Sequence, residues 1–240
     1  MTAPMDPAVT VVDHRLLNWR FVVPSVPDGL LLLAAADEAG EVPGAVACDP
    51  ALAALRSGPH PAVVISDLGR WAAAAKLPAG PAAERSTAAA DAGGGRGGKE
   101  LLRLAAGAVA PGGWLYASFA NPLYPMRSRS AGALTLAAAC RVVRGAGLRP
   151  SSRWLAFPDQ HTPAYLVPAG GGPELEYFMR TFFFPYASGG SARKARLKQR
   201  ALTLMRGCAL LAPPAVRPRF APAFAIVAER PEIGVAEPHA

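Results

Sequence analysis

Cysteine, acidic side chains and long apolar runs are all scarce in this chain of 240 residues. The three cysteines, Cys48, Cys140 and Cys208, are far apart, odd in number, and have no Cys or His around them at zinc-ligand spacing. A disulfide scaffold and a structural zinc site are thereby excluded, and buried thiols in a reducing compartment are expected. The four histidines, His14, His60, His161 and His239, do not sit at metal-ligand spacing from one another either, so no metal is expected. Gly29–Ala36, the longest apolar stretch, is far too short to cross a bilayer. Met1–Val12 lacks a basic region followed by a continuous apolar run, so no secretory signal is read there and a cytoplasmic protein is expected.

What is abundant says less about function. Hydrophobic residues make up 51% of the chain, enough for a sizeable core, and the length suits one α/β domain over residues 1–240. The wealth of Ala and Arg resembles a high-GC coding bias and is weak evidence for any element. The net charge of +8 raises nucleic acid or a membrane surface as partners, but much of it is concentrated in Arg193–Arg206.

Residues 1–13 read as a flexible lead, and His14–Pro24 as a short helix or strand covering a sheet edge. Gly29–Ala36 reads as a strand buried on both faces, followed by candidate strands at Ala45–Asp49 and Pro61–Asp67. Residues 78–99 are low in complexity and read as a loop or a degenerate helix. From there the pattern predicts a helix over Lys99–Ala110, a strand over Trp114–Phe119, a helix over Ala131–Gly147 and a strand over Arg149–Phe157. Helices over Glu174–Phe184 and Ser191–Leu211 and a closing strand over Phe224–Glu229 complete the chain. Strands alternating with helices argue for an α/β sheet with crossover connections.

One segment carries a family resemblance. Ala110-Pro-Gly-Gly-Trp-Leu-Tyr-Ala-Ser-Phe119 follows a helix, and Gly145-Ala-Gly-Leu148 closes the next one. This order is similar to the class I S-adenosylmethionine-dependent methyltransferases, and Phe224–Pro231 resembles their last strand. Over residues 62–231 the resemblance implies a Rossmann-like, doubly wound mixed sheet of about seven strands with an antiparallel last strand at the sheet edge. Residues 159–222 would be a helical insertion between the last two strands, of the kind that shapes a substrate pocket. In the PGG turn, Pro would stop the helix and both glycines would supply positive backbone dihedrals.

The same resemblance implies S-adenosylmethionine as cofactor and methyl transfer to a small-molecule acceptor, in a bacterial biosynthetic setting. Asp37, Glu38 and Gly40 occupy the cofactor-loop position, where the family's glycines are otherwise missing. Asp49 matches the acidic residue that receives the ribose hydroxyls, and Asp67 matches the place where cofactor and substrate meet. Asn121 would face the same crevice, and His161, in a polar cluster after a strand, would serve as general base. The missing glycines keep open a second reading, a catalytically silent descendant acting as a binding or scaffold protein. A homodimer in which a second chain completes the site also stays open.

Two further motifs have weaker readings. Gly93-Gly-Gly-Arg-Gly-Gly-Lys-Glu100 fits part of a phosphate-binding loop, but Glu100 replaces the magnesium-binding hydroxyl and no buried strand precedes it, so a flexible linker is expected. Arg193–Arg206 forms a basic amphipathic helix with leucines at 197, 204 and 211. Such a helix binds an anionic membrane or nucleic acid, or is simply the solvated face of a docked helix.

Overall fold

The computed structural model describes residues 14–33, 42–47, 53–75, 93–124, 132–170, 172–181 and 192–232. Its strands are β1 (Leu31–Leu33), β2 (Val46–Ala47), β3 (His60–Ile65), β4 (Val109–Ala120), β5 (Arg149–Phe157), β6 (Tyr165–Pro168) and β7 (Ala223–Glu229). They form one open mixed sheet in the order β2-β1-β3-β4-β7-β5-β6. Pairings from β2 to β4 are parallel, with Leu32 opposite Val64 and Val64 opposite Tyr116. β7 runs antiparallel to both β4 and β5, so β4 and β5 point the same way. The closing strand therefore lies inside the sheet, where the sequence reading put it at the edge. Its burial explains the position, because the first six residues of Ala223–Glu229 are all buried and an edge strand would expose one side. The edge is taken by β6, a short strand the sequence reading missed, which adds to β5 as an antiparallel neighbour.

Helices α1 (Ala53–Arg56), α2 (Leu68–Ala74), α3 (Gly93–Gly107), α4 (Leu136–Gly145), α5 (Pro173–Thr181) and α6 (Ala192–Leu211) fill the connections. Leu55, Trp71, Leu101, Leu102, Val143 and Phe178 pack into one cluster with Leu31, Ile65, Leu115, Phe119 and Ile226 on a single face of the sheet. The alternate strand residues, among them Leu32, Val64, Tyr116 and Val227, form a second cluster with Trp19. Trp19 belongs to a 3-10 segment, His14–Phe21, and its ring stands 6.3 Å from Trp114 and 6.4 Å from Tyr116. Among the described residues that segment covers the second face, and the open mixed sheet is consistent with a Rossmann-like fold.

Two glycine-rich stretches differ from their sequence readings. Gly93–Lys99 is the start of α3 and not a linker, which removes the phosphate-loop reading. A Cβ on Gly98 would come within 2.6 Å of the Gly132 Cα, and one on Gly132 within 2.9 Å of the Gly69 Cα. Three backbones thus touch where α2, α3 and the loop before α4 meet, and this contact outweighs the poor helix propensity of glycine. In the PGG turn the helix has already stopped at Gly107, and the turn lies within β4. Gly112 alone takes a positive φ, 74°, whereas Gly113 is needed because a Cβ would lie 2.5 Å from the Pro61 carbonyl oxygen.

Candidate functional site

The chain leaves β1 toward β2 on one side, and β3 pairs on the other. Such a topological switch point opens a crevice at the carboxyl ends of the strands, the usual place for a ligand in an open α/β sheet. Because β5 points the same way as β3 and β4, the segments that follow these strands converge on that edge: Ser66–Asp67 after β3, Asn121 after β4, and Pro158–Thr162 after β5.

Asp67 occupies the rim. Its φ of 152° makes it the one non-glycine residue with a positive φ among the described residues, a conformation costing roughly 1–3 kcal/mol that clusters at binding sites. Its Oδ1 accepts from the backbone N–H of Gly69 at 3.0 Å and of Arg70 at 3.1 Å, capping α2. The same oxygen lies 3.5 Å from the Gln160 Nε2 donor. The second carboxylate oxygen has no hydrogen bond among the described residues, and the residue is half-buried.

Gln160 belongs to a loop tied down on several sides. Its carbonyl accepts from Ser118 Oγ at 2.7 Å, and the Pro163 carbonyl accepts from Asn18 Nδ2 at 2.6 Å. Asp159 Oδ1 accepts from the backbone N–H of both His161 and Thr162 at 2.8 Å, closing a tight Asx turn. Ser118 is fully buried next to Tyr116, whose phenol is pushed well above its ordinary pKa by burial, opposed in part by its hydrogen bond with Ser118. Two polar atoms in this region, Ser66 Oγ and His161 Nδ1, are buried without a hydrogen-bond partner among the described residues. Buried polar groups are nearly always satisfied, so orphans of this kind mark a place where water or a ligand is needed.

The residues singled out from sequence fare differently. Asp67 and His161 are brought to the same edge, linked through Gln160. Asn121 is there too, but its carboxamide is spent on the chain: Nδ2 donates to the carbonyls of Arg219 at 3.0 Å and Ala221 at 2.8 Å, and Oδ1 accepts from Leu123 N–H at 2.9 Å. It is fully buried and locks the end of β4 to the approach into β7, a positioning role in place of the expected cofactor contact. Asp37, Glu38, Gly40 and Asp49 lie outside the described residues. His161 lies in the loop after β5, with its Nδ1 buried and without a hydrogen-bond partner among the described residues. Sequence reasoning missed Ser118 and Gln160. The available signal was Ser118 itself, a lone hydroxyl in the otherwise apolar run Trp114–Ala120.

Compared with known proteins, the chain matches no family model and no curated sequence. A solved structure, that of the [4+2]-cyclase SpnF, is similar over 89% of this chain and 70% of its own length, at 12% sequence identity and a TM-score of 0.34. A likeness this loose decides neither family nor activity.

Proposed function

We propose that the carboxyl edge between β1 and β3 binds a nucleoside-type cofactor, S-adenosylmethionine in the reading the sequence motifs suggest, and that a small-molecule acceptor is methylated beside Asp67. The observation that carries this reading is Asp67 itself: a strained, half-buried carboxylate at the switch point with one oxygen uncommitted among the described residues. The group residues fit such a ligand in part. The rim supplies a carboxylate and two orphaned polar atoms, Ser66 Oγ and His161 Nδ1, which a polar ligand or its water would satisfy.

When bound, the cofactor supplies an electrophilic methyl group on a sulfonium. The chain's own contribution is placement and the removal of one proton from the acceptor hydroxyl or amine. Asp67 Oδ2 takes that proton, because Oδ1 is held by the α2 cap. Ser118 and Gln160 hold the loop after β5 against the rim and so position the acceptor.

Calorimetric titration with S-adenosylmethionine and with S-adenosylhomocysteine tests the proposal. Micromolar binding of either is expected, and turnover of an acceptor should fall by about a hundredfold or more in Asp67→Asn while cofactor binding persists. No heat and no thermal shift at millimolar ligand would remove the enzyme reading. The silent binding-protein reading would then stand in front, favoured by the carboxamide of Asn121 being consumed within the fold.

A further inference from the structure

Away from the crevice, α6 presents an unusual outer face. Its inner face is docked: Leu202, Met205 and Ala209 are buried, and the Arg206 guanidinium donates to the carbonyls of Met179 at 2.7 Å and Arg180 at 2.5 Å at the end of α5. The helix is therefore fixed in rotation. Pointing outward are Leu197, Leu204 and Leu211, with 71%, 70% and 89% of their surfaces exposed, interleaved with exposed Ala201 and Cys208. The spacing of these five residues alternates four and three, which is the a/d seam of a heptad repeat with leucine at d and small residues at a. The seam runs for about 21 Å at the helical rise.

Three features decide what such a seam takes. Its width is that of a strict a/d stripe, narrower than the broad apolar face with which a helix lies on a core or a bilayer. The alternation of leucine with alanine and cysteine leaves holes between knobs, a relief that fits another helix and that fluid lipid does not require. The flanks are basic: Arg193 and Arg200 take the g positions, and the whole of α6 carries six basic residues and no acidic one. Arg196, Gln199, Arg200, Thr203 and Leu204 line an open groove of about 540 Å³ beside the seam. A second copy of α6 would set these cations against their own kind. We infer that the outer face of α6 docks an amphipathic helix of a partner protein that carries leucine or alanine along its seam and acidic residues on its flanks.

The test uses the full chain and two designed helical peptides of roughly three heptads, both with Ala at a and Leu at d, one with Glu and the other with Lys at e and g. Fluorescence anisotropy should show micromolar binding of the Glu peptide, weakening as salt is raised, and none of the Lys peptide. Leu204→Glu, at an exposed position that leaves the fold intact by circular dichroism, should weaken binding by about tenfold or more. Arg200→Glu should lower affinity for the Glu peptide and raise it for the Lys peptide. Equal binding of both peptides, binding of neither, or indifference to Leu204→Glu would overturn the inference. It would also be overturned by self-association of the chain that Leu204→Glu abolishes, or by binding to phosphatidylserine vesicles in place of the Glu peptide.

Discussion

The two halves of the sheet are built to different standards. From β4 through β7 to β5 the strands are long, with Trp114 through Ala120 each paired against β7 and β5 paired along β7 with one register shift between Pro150 and Ser152. From β2 to β3 the strands are short, and β1 spans three residues. At the carboxyl edge the long half ends in Asn121, whose carboxamide is bonded to the chain, whereas the short half ends in the strained carboxylate of Asp67. The longest strand pairing thus lies where β7 interleaves, and the strained carboxylate lies where the parallel strands stop. Sites drawn from the less tightly secured part of a fold are the common pattern, because a ligand needs groups the fold has not already used.

That contrast is open to attack from both ends. Phe119 is fully buried with its ring 6.0 Å from Phe224, so Phe119→Ala should cost about 3–5 kcal/mol in denaturant unfolding. A value below about 1 kcal/mol would mean the β4–β7 half is not the stable one. Asn121→Ala, which strands one backbone N–H and two carbonyls, should cost about 1–3 kcal/mol and leave cofactor affinity unchanged in molecules that remain folded. Lost affinity in a folded variant would return Asn121 to the ligand-binding set. Gly98→Ala gains up to about 1 kcal/mol of helix propensity but drives a methyl into the Gly132 backbone, which costs about 1–3 kcal/mol, and a lower melting temperature is expected.

Smaller effects sharpen the same comparison. Asp67→Asn retains a capping side chain and a residue tolerant of unusual backbone angles, so its unfolding free energy should change by less than about 1 kcal/mol even as activity collapses. Equal losses in stability and activity would make Asp67 a purely structural cap. The smallest shift concerns Glu176, whose carboxyl is held below its usual pKa by its hydrogen bond with Arg217, then by the charges of Arg180 and Arg217. A depressed carboxyl contributes stability above its unfolded pKa and loses it as pH falls through the folded one. The melting-temperature difference between wild type and Glu176→Gln should therefore be present at neutral pH and vanish in acid, below the normal carboxylate range.

Much of the long half was legible in the sequence. Arg149–Phe157 is a strand with the bounds its pattern predicts, and the Ser191–Leu211 and Phe224–Glu229 readings fall within a residue of α6 and β7. These elements announce themselves because their apolar residues recur at the right period and because glycine punctuates their ends. Elsewhere tertiary contacts overrode local signals. Gly93–Lys99 looks like a linker by propensity and is helical because a Gly98 side chain would not fit against Gly132. β6 was hidden in a segment rich in Pro and polar residues, and β7 gave no hint that it would slide between β4 and β5. At the carboxyl edge, Asp67 and His161 stand out in the sequence as polar residues after strands, but hydrogen-bond bookkeeping cannot be read from a sequence. Asn121, looking like a ligand contact, is a structural bracket, and Gln160 became visible only once Ser118 and Asp67 were seen to hold it.

Hydrogen exchange of the chain with and without S-adenosylhomocysteine tests most directly where the ligand sits. Slower exchange at Ser66–Leu68 and at Gln160–Thr162, with no change along 197–211, is the expected result. Protection that is absent from both segments, or confined to α6, would contradict a binding crevice at the β1/β3 switch point.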